Sequence, residues 1–299
     1  VPKEVLDIIR QIPRDADPID TLRTAVSALG SYDPSARDIS IDNSRKISIK
    51  LTGQFASLVA AIDRIRNGKD PIEPNPNASI ATNFLYMLKG EQPSEHDAKL
   101  FDVCLILHAD HELNASTFTA RVVAGTLASV YASVVAAIGA LSGPLHGGAN
   151  TNVMKTLLDI GEVNNVENYV KQALAEKRKM MGFGHAVYKT EDPRATHLRQ
   201  FSKEMGERAG NTKWYDMSGK VEEVMRREKG LYPNVDFFSA STYYMMGIPL
   251  DLYTPIFAVS RITGWTAHVV EQYADNKLIR PRAEYIGLRN VQYVPIEQR

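Results

Sequence analysis

Residues 122–141, VVAGTLASVYASVVAAIGAL, form a run without a single charged side chain. Small residues recur in this run at every fourth position, in two neighbouring rows: Ala124, Ala128, Ala132, Ala136 and Ala140, then Gly125, Ser129, Ser133 and Ala137. On a helix, such rows form a shallow face that a second helix can approach closely. The run is long enough to span a bilayer, but Ala, Ser and Gly insert poorly. The pattern therefore favours a buried helix in a large core or a subunit contact.

Helical periods dominate on both sides of this run. We predict helices over residues 4–11, 17–30, 47–66, 78–89, 94–107, 116–141 and 255–273. Strand signals are scarce, and the helical pattern is interrupted by glycine-rich segments at residues 142–148, 182–185 and 230–234. The predicted fold class is therefore all-α.

The composition is that of an ordinary globular protein. Lys plus Arg and Asp plus Glu both number 35, so the net charge is zero and the chain lacks the basic field that nonspecific nucleic-acid binding requires. Cys104 is the only cysteine, and its apolar surroundings predict a buried, unreactive thiol. A single cysteine and an N-terminal sequence without an apolar signal segment predict a cytoplasmic protein.

Histidines with chemically suggestive neighbours occur near helix ends. His108 and His111 are three positions apart beside Asp110 and Glu112, which permits a metal site or a capped helix end. His146 follows the uncharged run between glycines, where it caps the helix or takes part in catalysis. The sequence alone does not decide between a metal site and a capped helix end for His108 and His111, or between capping and catalysis for His146.

Further candidates are an acid and several cations. His185 lies in Gly-Phe-Gly-His, nine residues before Arg194, whose planar guanidinium suits a carboxylate ligand. Asp236 is flanked by apolar and aromatic residues that would raise its pKa, although a helix cap is an alternative. Arg261 follows an apolar run and requires an anionic partner, either a ligand or an internal carboxylate. Arg280 belongs by default to a solvated tail.

Taken together, these segments resemble the citrate synthase family. The resemblance rests on ordered blocks: LHADHE at 107–112, GPLHGGAN at 143–150, MGFGHAVYK at 181–189, DPR at 192–194, YPNVD at 232–236, SRITGW at 260–265 and RPR at 280–282. Each block alone is weak evidence for the resemblance, but the blocks occur in the family's order over most of the chain.

The resemblance implies roles for individual residues. Asp236 would remove a proton from the methyl group of acetyl-CoA, His146 would hydrogen-bond the thioester oxygen, and His185 would polarise the oxaloacetate carbonyl. Oxaloacetate would be held by His111, His185, Arg194, Arg261 and Arg280. CoA would be bound by Met180, Met181, Gly182, Phe183, Gly184 and Lys189. Acetyl-CoA would be a co-substrate, and no metal or bound cofactor would be needed.

The resemblance also implies an architecture. A large dimerising domain would comprise residues 1–147 and 251–299, and a small mobile domain residues 148–250. Arg280 would reach the neighbouring subunit of a homodimer. Family members usually carry additional large-domain sequence before the position of Val1, so its absence is expected to impair CoA binding, dimer stability or activity. Ala240 stands where the family commonly has glycine.

Other functions fit the same residues. The nearest alternative is 2-methylcitrate synthase, which uses propionyl-CoA. A second is a non-catalytic protein that binds CoA or a dicarboxylate, and a third is a metal-dependent hydrolase using His108 and His111. The main prediction is the condensation of acetyl-CoA with oxaloacetate, without nucleic-acid or membrane partners.

Overall fold

The computed structural model describes residues 1–184, 188 and 190–299. Helices make up most of this part of the chain, and they are α1 (Lys3–Gln11), α2 (Pro18–Ser31), α3 (Ile41–Arg66), α4 (Ile80–Lys89), α5 (Glu95–His108), α6 (Ala115–Ala124), α7 (Val130–Leu141), α8 (Ala149–Ile160), α9 (Val166–Ala175), α10 (Pro193–Arg208), α11 (Lys213–Lys229), α12 (Val235–Met245) and α13 (Tyr253–Ala274). Short 3₁₀ turns occur at Val163–Asn165, Leu250–Leu252 and Ile296–Gln298. The described residues form no strand, which confirms the all-α prediction.

Side-chain caps explain where many helices begin. Asp17 accepts a hydrogen bond from the Ile19 N–H at the start of α2, and Ser79 and Ser94 cap α4 and α5 in the same way. Such caps satisfy backbone donors that have no partner inside the helix. The predicted helix starting at Asp17-Pro18 is confirmed. Helix α3 begins six residues before the predicted position, because the polar residues after Ser40 are already helical.

The single helix predicted over residues 116–141 is wrong. The structure divides it into α6 and α7, separated by residues 125–129. Ser129 caps α7 by accepting from the Ala132 N–H, and Leu127 adopts a positive φ of 63°, which no helix continues through. The two halves pack against each other. In the described part of the chain no helix combines the length and apolarity needed to cross a bilayer.

Helix α13 lies at the centre of the core. It packs against α3, α5, α6 and α7, and its Trp265 is fully buried. Its bounds agree with the predicted helix over residues 255–273 to within two residues. Arg261, on the same helix, is also buried, and it therefore presents a charge to the interior.

The chain passes the predicted domain boundary twice, near residue 147 and near residue 250, and these two connections are hydrogen-bonded to each other. Thr254 Oγ1 donates to the Gly147 carbonyl at 3.0 Å, and Thr151 Oγ1 donates to the Leu250 carbonyl at 3.1 Å. A Cβ on Gly147 would collide with the Leu141 carbonyl, so the first connection is tightly packed. The division into residues 148–250 and the remainder stays a prediction.

Ala240 lies inside the regular helix α12 and is fully buried. Alanine is the residue best suited to a helix interior. Its backbone therefore adopts no conformation that requires glycine at this position.

Candidate active site

Two of the predicted breaks pair with each other and form one side of the site. The Gly184 N–H donates to the Tyr232 carbonyl, and the Asn234 N–H donates to the Gly182 carbonyl, both at 2.9 Å. Gly182 has a φ of +82°, and a Cβ there would lie 2.7 Å from Val153 Cγ2. Only glycine combines this backbone with this close approach. The pairing places the start of α12 next to the residues predicted to bind CoA.

Asp236 occupies the first turn of α12 and does not cap it. The cap is Asn234, whose side chain accepts from the Asp236 N–H at 3.1 Å and donates to the Gly184 carbonyl at 3.0 Å. The Asp236 Oδ1 atom is buried and has no hydrogen-bond partner among the described residues. Burial raises the pKa of Asp236 to about 6, and the charges of Arg194 and Arg261 limit the increase. The alternative of a capping aspartate is therefore wrong.

His146 is held from the N-terminus of α6. Its Nε2 lies 2.8 Å from Ser116 Oγ and accepts from the Ser116 backbone N–H at 3.4 Å. Trp265 donates its indole N–H to the same hydroxyl at 2.9 Å. A backbone N–H can only donate, so Nε2 carries a lone pair and the ring proton resides on Nδ1. Burial lowers the pKa of His146 to about 4, so the ring is neutral at pH 7.

The ring of His146 thus bonds to α6 and not to the carbonyl groups at the end of α7. The capping interpretation is wrong for this ring, although the backbone N–H of His146 does donate to the Gly143 carbonyl at 3.0 Å. The described residues offer no hydrogen-bond partner to Nδ1, and His146 lines a cavity. A neutral N–H donor therefore faces that cavity.

Two guanidinium groups provide positive charge. Arg261 donates from Nε to the His108 carbonyl at 2.7 Å and stacks its Cζ 4.7 Å above the Phe257 ring. Burial lowers its pKa to about 10, which leaves it charged at pH 7. Arg194 makes a two-point ion pair with Asp192, from Nε at 3.0 Å and Nη2 at 2.7 Å. That fork fixes the direction of the guanidinium.

The two histidines of the proposed metal site have different surroundings. His108 is buried, and its Nδ1 bonds to the Cys104 carbonyl at 2.8 Å. Burial lowers its pKa to about 3. The Nε2 of His111 lies 3.2 Å from the Tyr188 hydroxyl. Within residues 1–184, 188 and 190–299, no three His, Cys, Asp or Glu side chains converge as metal ligands would.

Most of these groups line one cavity of about 120 Å³. It is lined by His111, Asn114, His146, Arg194, Asn234, Val235, Asp236, Phe257 and Arg261. The structure therefore brings together five of the predicted site residues. His185 and Lys189 lie outside the described residues. Arg280 is exposed in the segment that follows α13 and is not among the residues that line this cavity.

Residues 180–184, which were predicted to bind CoA, lie next to the start of α12. Met180 and Phe183 are nearly buried, and the Phe183 ring packs 4.5 Å from that of Phe237. Met181 is half-buried, and Gly182 and Gly184 both have positive φ.

The sequence patterns did not predict a functional role for Ser116, Asp192 or Asn234. Ser116 was placed only at the start of a predicted helix, where serine usually acts as a cap. Asp192 and Asn234 were quoted as neighbours of Arg194 and Asp236 without a role. No local pattern separates Asp192 and Asn234 from ordinary helix caps, because both do cap helices and their further partners, Val235 and Gly184, are distant in sequence.

The arrangement suits a proton abstraction next to a bound anion. A carboxylate with a raised pKa is a stronger base than a solvated one, and a neutral imidazole N–H can stabilise a developing oxyanion. The buried guanidinium groups suit a small carboxylate ligand.

Comparisons with known proteins agree with this geometry. The family described as citrate synthase, C-terminal domain matches residues 1–282. The chain is 52% identical to citrate synthase 2 of Bacillus subtilis over 300 residues, which cover 100% of this chain and 81% of that protein. It is 42% identical to the citrate/2-methylcitrate synthase of the same organism, with 97% of this chain and 78% of that protein covered. A solved complex of carboxymethyl coenzyme A and oxaloacetate with the citrate synthase of Thermoplasma acidophilum superposes with a TM-score of 0.93 at 33% identity and covers 100% of this chain and 80% of that one.

Proposed function

Since the chain belongs to the citrate synthase family of condensing acyltransferases, we propose that it joins acetyl-CoA, oxaloacetate and water to give citrate and CoA. One observation carries this proposal. The unpartnered Asp236 carboxylate lies in one cavity with the neutral His146 ring and with Arg194 and Arg261. This set matches a reaction that removes a carbon-bound proton beside a bound dianion.

In the first step, Asp236 takes a proton from the methyl group of acetyl-CoA. The electron pair moves onto the thioester oxygen, which accepts a hydrogen bond from Nδ1–H of His146. A preorganised donor of this kind contributes about 10²–10³ in rate. Burial supports both roles, since it raises the pKa of the base and keeps the imidazole neutral.

In the second step, the enolate carbon attacks the oxaloacetate carbonyl. Arg194 and Arg261 hold the two carboxylates together with His111, and Arg280 completes the set from the neighbouring subunit. His185 donates a proton to the new alkoxide. Water then hydrolyses the citryl thioester and releases CoA. Each step uses side chains of the protein and the two substrates, so we propose that no bound metal or cofactor takes part.

We propose that the protein acts as a homodimer in which α7 contributes to the interface. Its residues Ala132, Ala136, Gly139 and Ala140 remain accessible on one face, next to the accessible Val135. Small residues on a helix face allow close packing against another helix. After α13, the exposed apolar side chains of Tyr285, Ile286, Leu288 and Tyr293 supply further surface for a partner subunit. A reducing, cytoplasmic location suits the single, buried Cys104.

A second candidate is the use of propionyl-CoA to give 2-methylcitrate. The similarity to a citrate/2-methylcitrate synthase of Bacillus subtilis favours keeping it. One extra methylene changes transition-state binding by only about 1–3 kcal/mol, so the two activities are close alternatives in one cavity.

The test measures CoA release with oxaloacetate and either acetyl-CoA or propionyl-CoA. We expect faster release from acetyl-CoA and a loss of at least about 1,000-fold in kcat for Asp236→Asn, which removes the base. Asp159→Asn, an exposed carboxylate on α8, is the matched control and should behave as the parent does. Preference for propionyl-CoA would select the second candidate. No release from either, although oxaloacetate binds, would refute both.

A further inference from the structure

Helix α13 contacts the segment before His111 at three successive points. Arg261 Nε donates to the His108 carbonyl at 2.7 Å, and the Gly264 N–H donates to the Ala109 carbonyl at 3.1 Å. His268 Nε2 lies 3.3 Å from Asp110 Oδ1. Positions 261, 264 and 268 share one helix face. The face that carries Arg261 therefore also supports the residues leading to His111.

The approach at Gly264 shows how closely the segment lies on the helix. A Cβ at this position would collide with the Ala109 carbonyl oxygen and lie 2.8 Å from Asp110 Oδ1. Glycine is the residue that allows two backbones to approach this closely. Asp110 is therefore held against α13 within reach of His268.

The surroundings of His268 determine which ring nitrogen faces Asp110. Arg121 Nη1 lies in hydrogen-bond contact with His268 Nδ1 at 3.2 Å, and a guanidinium can only donate. A neutral His268 ring that accepts from Arg121 at Nδ1 carries its proton on Nε2, which lies 3.3 Å from the Asp110 carboxylate. The other charged group beside the ring is Glu271, whose Oε2 lies 3.1 Å from Nδ1 and 3.0 Å from Arg121 Nη1.

Arg121 is itself fixed in place. Its Nε donates to Gln272 Oε1 at 3.0 Å, so α6 and α13 both orient the guanidinium. His268 is only 17% exposed. The donor to Asp110 is therefore held by a network of charged and polar groups and is not a freely rotating surface side chain.

Asp110 in turn fixes the backbone around His111. Its Oδ2 accepts from the Glu112 N–H at 3.2 Å, across His111. Glu112 has a φ of +52°, a conformation that costs free energy for a residue other than glycine and persists where surrounding contacts impose it. The Asp110 carboxylate thus connects His268 on one side to the turn that presents His111 on the other.

We propose that His268 is a positioning residue for oxaloacetate: its Nε2–H orients Asp110, and Asp110 sets the turn that presents His111 to the ligand. The inference rests on the proposed function, because His111 is assigned to oxaloacetate there. Loss of the His268 donor should weaken oxaloacetate binding without affecting proton abstraction by Asp236.

The test compares His268→Leu with His268→Gln. Leucine removes the donor, whereas the glutamine amide places an N–H near the position of Nε2. We expect KM for oxaloacetate to rise about 10-fold in His268→Leu, the equivalent of one polar contact worth about 1.4 kcal/mol. The KM for acetyl-CoA and kcat should stay within about twofold, and His268→Gln should recover most of the oxaloacetate affinity. His197→Leu, an exposed histidine on α10, is the control.

Two results would overturn the proposal. One is an equal loss of kcat and of both affinities in His268→Leu, the sign of a general structural defect. The other is a His268→Gln variant that binds oxaloacetate as weakly as His268→Leu.

A second measurement separates this proposal from the proposed function. ¹⁵N NMR of the ring nitrogens in ligand-free protein, assigned with His268→Gln, should show Nε2 protonated and Nδ1 unprotonated. A proton on Nδ1 alone would contradict the inference. If the parent protein bound no oxaloacetate, the proposed function would fail, while the ring tautomer would still report on the contact with Asp110.

Discussion

Ser116 Oγ lies 2.8 Å from Nε2 of His146, and this contact determines which ring nitrogen faces the cavity. The hydroxyl accepts the indole N–H of Trp265, so a residue of α13 orients a side chain that follows α7. The His146 donor is therefore preorganised before any substrate arrives, which is the arrangement that stabilises an oxyanion most effectively.

Ser116→Ala should lower kcat about 10- to 100-fold, because His146 loses one of the two contacts that hold its ring in position. The Ser116 backbone N–H remains, so activity is reduced and not abolished. Steady-state kinetics should show little change in KM for oxaloacetate. Ser48→Ala removes a comparable hydroxyl, bonded to the Ser44 carbonyl in α3, and serves as the control. An unchanged kcat in Ser116→Ala would contradict a role of this hydroxyl in positioning His146.

The rate should depend on pH through Asp236. Its pKa is raised to about 6 by burial, and the base acts in its deprotonated form. We therefore expect kcat/KM for acetyl-CoA to decrease about tenfold per pH unit below pH 6 and to level off above it. Initial rates between pH 4.5 and 8, with controls for reversible unfolding, measure this dependence. A profile that is flat down to pH 5 would exclude Asp236 as a base with a raised pKa.

Asp236→Asn should stabilise the fold at neutral pH. A folded-state pKa above the unfolded value favours the folded protein at low pH, and this contribution is lost as pH rises from about 4 through about 6. The buried charge then costs on the order of 2–3 kcal/mol at pH 8, and the amide removes that cost. Denaturant unfolding of parent and variant should diverge at pH 8 and converge near pH 4. Asp159→Asn should show no such divergence.

Gly182→Ala should disturb the pairing of residues 182–184 with 232–234. The added methyl would lie 2.7 Å from Val153 Cγ2 and 2.9 Å from Phe237 Cδ2. We expect a loss of stability of about 2–4 kcal/mol and a raised KM for acetyl-CoA. Gly210→Ala shares a positive φ but has no neighbour within 4 Å, so it isolates the cost of backbone strain. Equal effects of both substitutions would show that packing at Gly182 is unimportant.

Ala136→Arg should dissociate the proposed dimer. A long charged side chain on the small-residue face of α7 prevents close helix packing and buries an unpaired charge. Light scattering after gel filtration should report a monomer for this variant and a dimer for the parent. Ala209→Arg, at the exposed end of α10, is the matched control. A dimeric Ala136→Arg variant would place the interface elsewhere.

The sequence by itself determined the helical class and most helix positions. The spacing of apolar residues and the caps at Asp17, Ser79 and Ser94 are local features, and the structure retains them. One local cap was overlooked. The spacing of residues 116–141 indicated one continuous helix, but Ser129 caps a new helix, α7, inside this run. Periodicity does not report where a helix stops when the residues after the stop keep the same spacing.

Only the tertiary structure decided the chemistry of the site. Ser116 and His146 are 30 positions apart, and Trp265 is 149 positions from Ser116. The raised pKa of Asp236 likewise depends on burial by packed helices and on the distant charge of Arg261. Protonation states and tautomers follow from the dielectric surroundings and from hydrogen-bond partners. In this chain, contacts between residues far apart in sequence supply both.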